Sequence, residues 1–83
     1  MSYIIMYKSL TYAQRAARVL ERVGIIVSIS RAPHGLGGEG CAYCLKVSER
    51  RLSEALGMIR SFSLNSGKVY KIDAYGNYTE VFI

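Results

Sequence analysis

The sequence predicts an α+β fold of the ferredoxin-like type: a two-layer βαββαβ sandwich whose antiparallel sheet carries two helices on one face. Two stretches repeat apolar residues at steps of three and four, as amphipathic helices do. β-rich stretches surround them in the order that this fold requires. A chain of 83 residues also has room for a single hydrophobic core. We therefore expect one domain over residues 1–83, with 75–83 as a possible C-terminal hairpin extension.

The first half of the chain is predicted to form a strand, a helix and a second strand. Residues 3–8 are rich in β-formers and stop at Ser9, a favourable helix N-cap. The helix ends at Gly24, where a left-handed C-terminal cap is expected. Residues 25–30 then alternate as a second strand. The apolar positions of this helix are Ala13, Ala16, Ala17, Leu20 and Val23.

The second half is predicted to form a loop, a strand, a helix and a terminal hairpin. Residues 32–40 contain the only proline and four glycines, and they lead into a third strand at 41–47. Ser48 is expected to cap the second helix. The apolar face of that helix comprises Leu52, Ala55, Leu56, Ile59 and Phe62. The remaining segments are a helix end, a strand, a turn and a last strand, at 63–67, 68–74, 75–77 and 78–83.

Alternation along the strands assigns their side chains to two faces of the sheet. The side chains expected to meet the helices are Tyr3, Ile5, Tyr7, Tyr43, Leu45 and Val47. Those left on the open face are Ile4, Met6, Ile26, Ala42 and Cys44. Because a free face of this composition is unusually apolar, we expect a homo-oligomer that associates through the open face.

The chain's only cysteines, Cys41 and Cys44, stand at the end of its only glycine-rich loop. Their Cys-x-x-Cys spacing recurs in redox pairs and in half of many zinc sites. If Cys41 is already extended, the two side chains face apart and lie about 10 Å from each other along the strand. A disulfide requires Cα atoms within about 7 Å of each other, so the pair can close only if Cys41 still belongs to the loop. We therefore predict two separate thiols, with Cys44 inside the strand.

Cys41 is the candidate carrier thiol. A persulfide relay needs an accessible thiolate and peptide N–H groups that stabilise charge on sulfur. Glycines near the thiol permit such a cradle, and a base or cation could stabilise the thiolate if the loop folds back. The supporting candidates are Gly37, Gly38, Gly40, His34, Arg31 and Cys44. The alternative is that Cys41 packs in a strand as a small hydrophobe.

Composition argues against several other classes of protein. The net charge of +5 is spread over solvated faces such as the helical positions Arg15, Arg18 and Arg22, so a nucleic-acid partner is not expected. A second Cys-x-x-Cys or a His pair is missing, so we expect no metal. We also expect neither an enzyme nor a cofactor, since no nucleophile–base pair or cofactor fingerprint is visible. The opening run is too short for a secretory signal or a membrane span, which predicts a cytoplasmic protein.

Two further interpretations stay open. One is a non-catalytic interaction or regulatory module that dimerises through the open face. The other is an RNA-recognition module, which shares the βαββαβ order and displays aromatic residues on its first and third strands. Tyr3, Tyr7 and Tyr43 invite that comparison, but they share a face with the apolar core positions, so we predict that they are core residues.

Several stretches together resemble one known family. They are residues 3–9, residues 20–25, the Pro33 loop, Gly40-Cys41-Ala42-Tyr43 and Leu45-Lys46-Val47. Over about residues 3–73 the chain resembles the selenium/sulfur carrier-like family of small bacterial proteins. In that family a Pro-Arg-containing loop leads to a Cys-Gly dipeptide, whose cysteine matches Cys41; here His34 replaces the arginine and Ala42 the glycine. The resemblance implies a protein that carries sulfur or selenium between donor and acceptor proteins.

Overall fold

The computed structural model describes residues 1–33, 36, 42–64 and 66–82. Within these ranges it has five strands and two helices, and the strands form one antiparallel sheet of order β2-β3-β1-β4-β5. The elements are β1 Ser2–Tyr7, α1 Leu10–Arg22, β2 Ser28–Arg31, β3 Tyr43–Ser48, a 3-10 turn Glu49–Arg51, α2 Leu52–Ser61, β4 Val69–Ile72 and β5 Tyr78–Val81. The predicted ferredoxin-like architecture and its extra C-terminal strand are confirmed.

Helix α1 begins and ends at the residues that the sequence predicts. The Ser9 hydroxyl accepts a hydrogen bond from the backbone N–H of Tyr12 at 3.3 Å. At the other end Gly24 adopts φ +81°, and Ile25 donates its N–H to the Leu20 carbonyl at 3.0 Å, which is a Schellman motif. This motif buries Ile25 completely. The predicted start of the second strand at residue 25 was therefore wrong, because β2 begins three residues later.

Helix α2 departs from the prediction at both ends. Ser48 makes no side-chain capping bond, and the 3-10 turn separates it from the helix. Phe62 is the C-cap and 57% exposed, so its predicted place on the buried face was wrong. The helix nonetheless closes with a second Schellman motif, in which Ser63 has φ +54° and Leu64 donates to the Ile59 carbonyl at 2.9 Å.

The main core lies between the sheet and the two helices. Its buried members are Ile5, Tyr7, Ala13, Ala16, Ala17, Leu20, Ile25, Leu45, Val47, Ala55, Ile59, Leu64 and Val69. Tyr3 and Tyr43 are partly buried against it. The strand residues predicted to face the helices therefore do so.

The opposite face of the sheet holds a second, smaller cluster, formed by Ile4, Met6, Cys44 and Tyr70. Partly buried side chains pack against this open-face cluster, namely Ala32, Leu36 and Ile72. The expectation that Ile4, Met6 and Cys44 form a bare patch was therefore wrong, because residues that follow β2 cover them. Of the remaining residues expected there, Ile26 is 88% exposed and Ala42 is exposed, and both lie outside the strands. Self-association through this face stays a prediction.

The β4–β5 hairpin turns around the carboxylate of Asp73. Its Oδ1 accepts backbone hydrogen bonds from Tyr75 at 2.8 Å and Asn77 at 2.9 Å, and Gly76 supplies the positive φ that the turn requires. The bond from Asn77 in particular lowers the pKa of Asp73.

Elsewhere in the described ranges, neither helix has the length and apolar character needed to cross a membrane.

Candidate functional site

Three strand ends meet at one end of the sheet. β1 ends at Tyr7, β3 begins at Tyr43 directly opposite, and β2 ends at Arg31 on the other side of Tyr43. Ala42 donates its N–H to the Tyr7 carbonyl at 3.1 Å, and its own carbonyl accepts from the N–H of Ala32 at 2.9 Å. Ala32 and Ala42, which stand on either side of the segment 33–41 in the sequence, are therefore hydrogen-bonded to each other at this end of the sheet.

Most of the predicted carrier site belongs to that segment by sequence. Cys41, His34, Gly37, Gly38 and Gly40 lie outside the described residues. Their roles stay predictions. Arg31 and Cys44 are described.

Cys44 has the surroundings of a packed residue. Its side chain is 2% exposed and lies in the open-face cluster, opposite Met6 on the neighbouring strand. Its Sγ lies 3.4 Å from the Ser30 hydroxyl and donates to the Arg31 carbonyl at 3.8 Å. An attacking sulfur must be able to reach its reaction partner, so the burial of Cys44 opposes attack by this residue.

Arg31 directs its charge away from Cys44. Its guanidinium carbon lies 5.9 Å from the centre of the Tyr43 ring, within the range of a cation–π contact. Arg31 and Tyr43 are cross-strand partners and share the helix-covered side of the sheet, whereas Cys44 faces the other side. The structure therefore brings the Arg31 backbone to the Cys44 thiol, but not its positive charge.

The strand faces also bear on the RNA-recognition interpretation. Tyr7 is buried, and Tyr3 and Tyr43 pack against the main core, as predicted. On the face away from the helices, the described parts of β1 and β3 present Ile4, Met6, Cys44 and Lys46, with no aromatic ring among them. The pair of stacking aromatics that defines such a module is therefore missing from its expected place.

A cleft beside Tyr7 was not predicted from the sequence. It has a volume of about 370 Å³ and lies between the start of α1 and the segment that enters β4. We call it the basic cleft, and its lining residues are Tyr7, Lys8, Tyr12, Arg15, Ser63, Leu64, Ser66 and Gly67. A sequence signal exists, because the first two turns of α1 carry Arg15 and no acidic residue, and Lys8 directly precedes the N-cap.

The fold and the position of the cysteine-bearing segment define a small ferredoxin-like protein whose reactive residue is predicted between β2 and β3. The chain belongs to the family described as "Putative Se/S carrier protein-like", whose model matches residues 2–71. This confirms the family resemblance seen in the sequence. Residues 72–83, which include β5, lie beyond the match. Neither the curated proteins nor the solved structures that were searched gave a match.

Proposed function

We propose that the protein carries sulfur or selenium as a persulfide-type adduct on Cys41 and passes it from a donor protein to an acceptor protein. The observation that supports this most is the family match, because it spans the segment that contains Cys41. The description of the family suggests the class of function. The identity of the thiol is our inference.

The chemistry requires only a nucleophilic thiolate. The Cys41 thiolate attacks the outer sulfur of a donor persulfide, the donor's S–S bond breaks, and the donor sulfur leaves as a thiolate. Cys41 then holds the persulfide, and no external oxidant or reductant is consumed. In the second step an acceptor thiolate attacks the same outer sulfur and releases Cys41 as a thiolate. The same two steps apply when the transferred outer atom is selenium instead of sulfur.

The contrast with Cys44 supports the choice of Cys41. Cys44 is enclosed in the open-face cluster and hydrogen-bonded to Ser30 and Arg31. The exposed residue Ala42, which follows Cys41, is anchored by its backbone to Tyr7 and Ala32. We therefore expect a thiol at position 41 to stay near this end of the sheet while it meets a donor and an acceptor protein in turn. The proposal also requires a compartment that keeps Cys41 reduced, and the cytoplasm meets this requirement.

The proposal is tested by intact-mass spectrometry after incubation with a cysteine desulfurase and cysteine. We expect wild type and Cys44→Ala to gain the mass of one sulfur atom, and Cys41→Ser to gain none. The adduct should disappear on treatment with a thiol reductant. Alanine is chosen at position 44 because a small apolar residue suits the buried site.

Two outcomes would overturn the proposal. One is an adduct that persists in Cys41→Ser and is lost in Cys44→Ala. The other is a wild-type protein that never gains sulfur and whose thiols alkylate only at the rate of ordinary cysteine. In the second case the interaction module would become the leading interpretation, and light scattering would then test whether the chain forms a homo-oligomer.

A further inference from the structure

The basic cleft combines two cations with a concave wall. Lys8 and Arg15 both line it, and the hydroxyl-bearing residues Tyr12, Ser63 and Ser66 do so as well. The Arg15 guanidinium carbon lies 5.9 Å from the centre of the Tyr12 ring. Such a contact holds the guanidinium against the wall and leaves its N–H groups available.

None of the described residues neutralises the positive charge of the cleft. Of the described residues that line it, none is acidic, and throughout the described ranges neither Lys8 nor Arg15 forms an ion pair. The carboxylates in ion pairs are engaged elsewhere, Glu54 with Arg51 and Glu80 with Lys68. Two unpaired cations beside hydroxyl donors favour an anion with several acceptor oxygens.

The floor of the cleft is fixed by the sheet. Gly67 donates its N–H to the Met6 carbonyl at 2.7 Å, and Met6 donates to the Lys68 carbonyl at 3.0 Å. The Tyr7 hydroxyl donates to the Leu64 carbonyl at 3.4 Å and so ties the end of α2 to β1. The cleft therefore has a wall formed in advance, which reduces the entropy lost when a ligand binds.

We propose that the basic cleft binds a tetrahedral oxyanion, either as a free ion or as the phosphate monoester of a small molecule. Arg15 and Lys8 contact the anion, with Ser63 and Ser66 as hydroxyl donors. The Tyr12 ring and Leu64 offer an apolar wall to any organic part. A volume of about 370 Å³ is at the small end of the range of ligand pockets, which suits a ligand of that size. This proposal does not depend on the carrier chemistry of Cys41 and goes beyond the proposed function.

The matched control lies on the same helix. Arg18 is three residues from Arg15 and, like Arg15, lines a second depression on α1, but only Arg15 also lines the basic cleft. Both side chains are on exposed positions of α1. Arg15→Gln and Arg18→Gln therefore remove the same charge from the same helix and differ only in the cleft.

The test is a titration of the full-length ¹⁵N-labelled protein, at constant ionic strength, with inorganic phosphate and separately with phenyl phosphate. We expect saturable shifts of the Lys8, Ser66 and Gly67 amides. Arg15→Gln and Lys8→Gln should each weaken binding roughly tenfold, while Arg18→Gln changes it by less than about twofold. Tighter binding of phenyl phosphate indicates a phosphorylated small molecule, and equal binding indicates the free ion.

Equal losses in Arg15→Gln and Arg18→Gln would overturn the proposal, because they would show a general attraction of α1 for polyanions. The absence of saturable shifts at about 10 mM of either probe would also overturn it. Binding should persist in Cys41→Ser, so failure of the anion site and failure of the carrier chemistry are separate results.

Discussion

Helices α1 and α2 cover the same face of the sheet and end in the same Schellman motif, but different forces define them. α1 has a side-chain N-cap at Ser9 and a glycine at the left-handed position. α2 follows a 3-10 turn, lacks a side-chain cap bond at its first residues and places Ser63 in the left-handed position. α1 is therefore specified by local signals, whereas α2 depends more on its contacts with the rest of the fold.

The two helices also differ in what they contribute to the core. The buried residues of α1 are Ala13, Ala16, Ala17 and Leu20. Those of α2 are Ala55 and Ile59. α1 thus anchors the helical layer, and α2 is expected to be the weaker of the two.

The largest expected effect is a loss of stability when the principal core side chain of either helix is removed. Leu20→Ala should lower the free energy of unfolding by about 3–4 kcal/mol, because Leu20 is fully buried in the main core. Ile59→Ala should cost about 2–3 kcal/mol, since Ile59 retains some exposure and its surroundings can partly collapse. Urea unfolding monitored by circular dichroism measures both. An equal or larger loss at Ile59 would show that α2 anchors the layer as firmly as α1.

A second prediction concerns the tertiary bond that holds the end of α2. Tyr7→Phe removes the hydroxyl that donates to the Leu64 carbonyl and should cost about 1 kcal/mol. The same variant should change the alkaline unfolding curve. Burial raises the pKa of Tyr7 from 10.0 to about 12, so the folded protein retains a proton that the unfolded chain loses. The stability contributed by neutral Tyr7 is complete below pH 10 and is lost as the pH rises towards 12.

The alkaline effect is measured as the difference between the wild type and Tyr7→Phe over this pH range, which cancels the titration of the other tyrosines. The stability of the wild type should fall more steeply with pH than that of the variant. Parallel curves would mean that Tyr7 titrates alike in the folded and unfolded states, and that α2 is not held by a buried phenol.

The smallest expected effects compare the two C-terminal caps. Gly24→Ala should cost about 1 kcal/mol, because φ +81° disfavours any side chain even though nothing lies within 4 Å of the added Cβ. Ser63→Gly should raise stability by about 0.5 kcal/mol by relieving φ +54°. Thermal unfolding measures both changes. A loss at Ser63→Gly would indicate that the serine side chain stabilises the cap by a contact that outweighs its backbone strain.

The same contrast explains how much of the fold could be predicted from sequence. Ser9 and Gly24 act within one turn of their own helix, so their roles could be seen in the sequence. Ser48 has the right residue type for a cap, but a 3-10 turn follows it, and no local rule predicts that turn. Phe62 continues the apolar spacing of α2, yet the helix ends there and the ring remains exposed.

The candidate site shows the same division. The alternation of the strands correctly placed Cys44 on the face away from the helices. Its burial was missed because it depends on Ala32 and Leu36, which pack onto that face from a segment without periodicity. The basic cleft was missed because its two sides, at Lys8 and Ser66, are far apart in sequence and meet only when β4 pairs with β1.

The hairpin strand β5 changes which strand forms the border of the sheet. β4 pairs with β1 on one side and with β5 on the other, so its backbone groups are engaged on both sides. The new border carries Glu80, whose carboxylate pairs with Lys68 at 3.5 Å, and the opposite border at β2 carries Ser30 and Arg31. Polar and charged borders oppose the stacking of sheets edge to edge between molecules. The strand beyond the family match therefore gives the sheet a charged border, and we expect this border to oppose edge-to-edge association of molecules in concentrated solution.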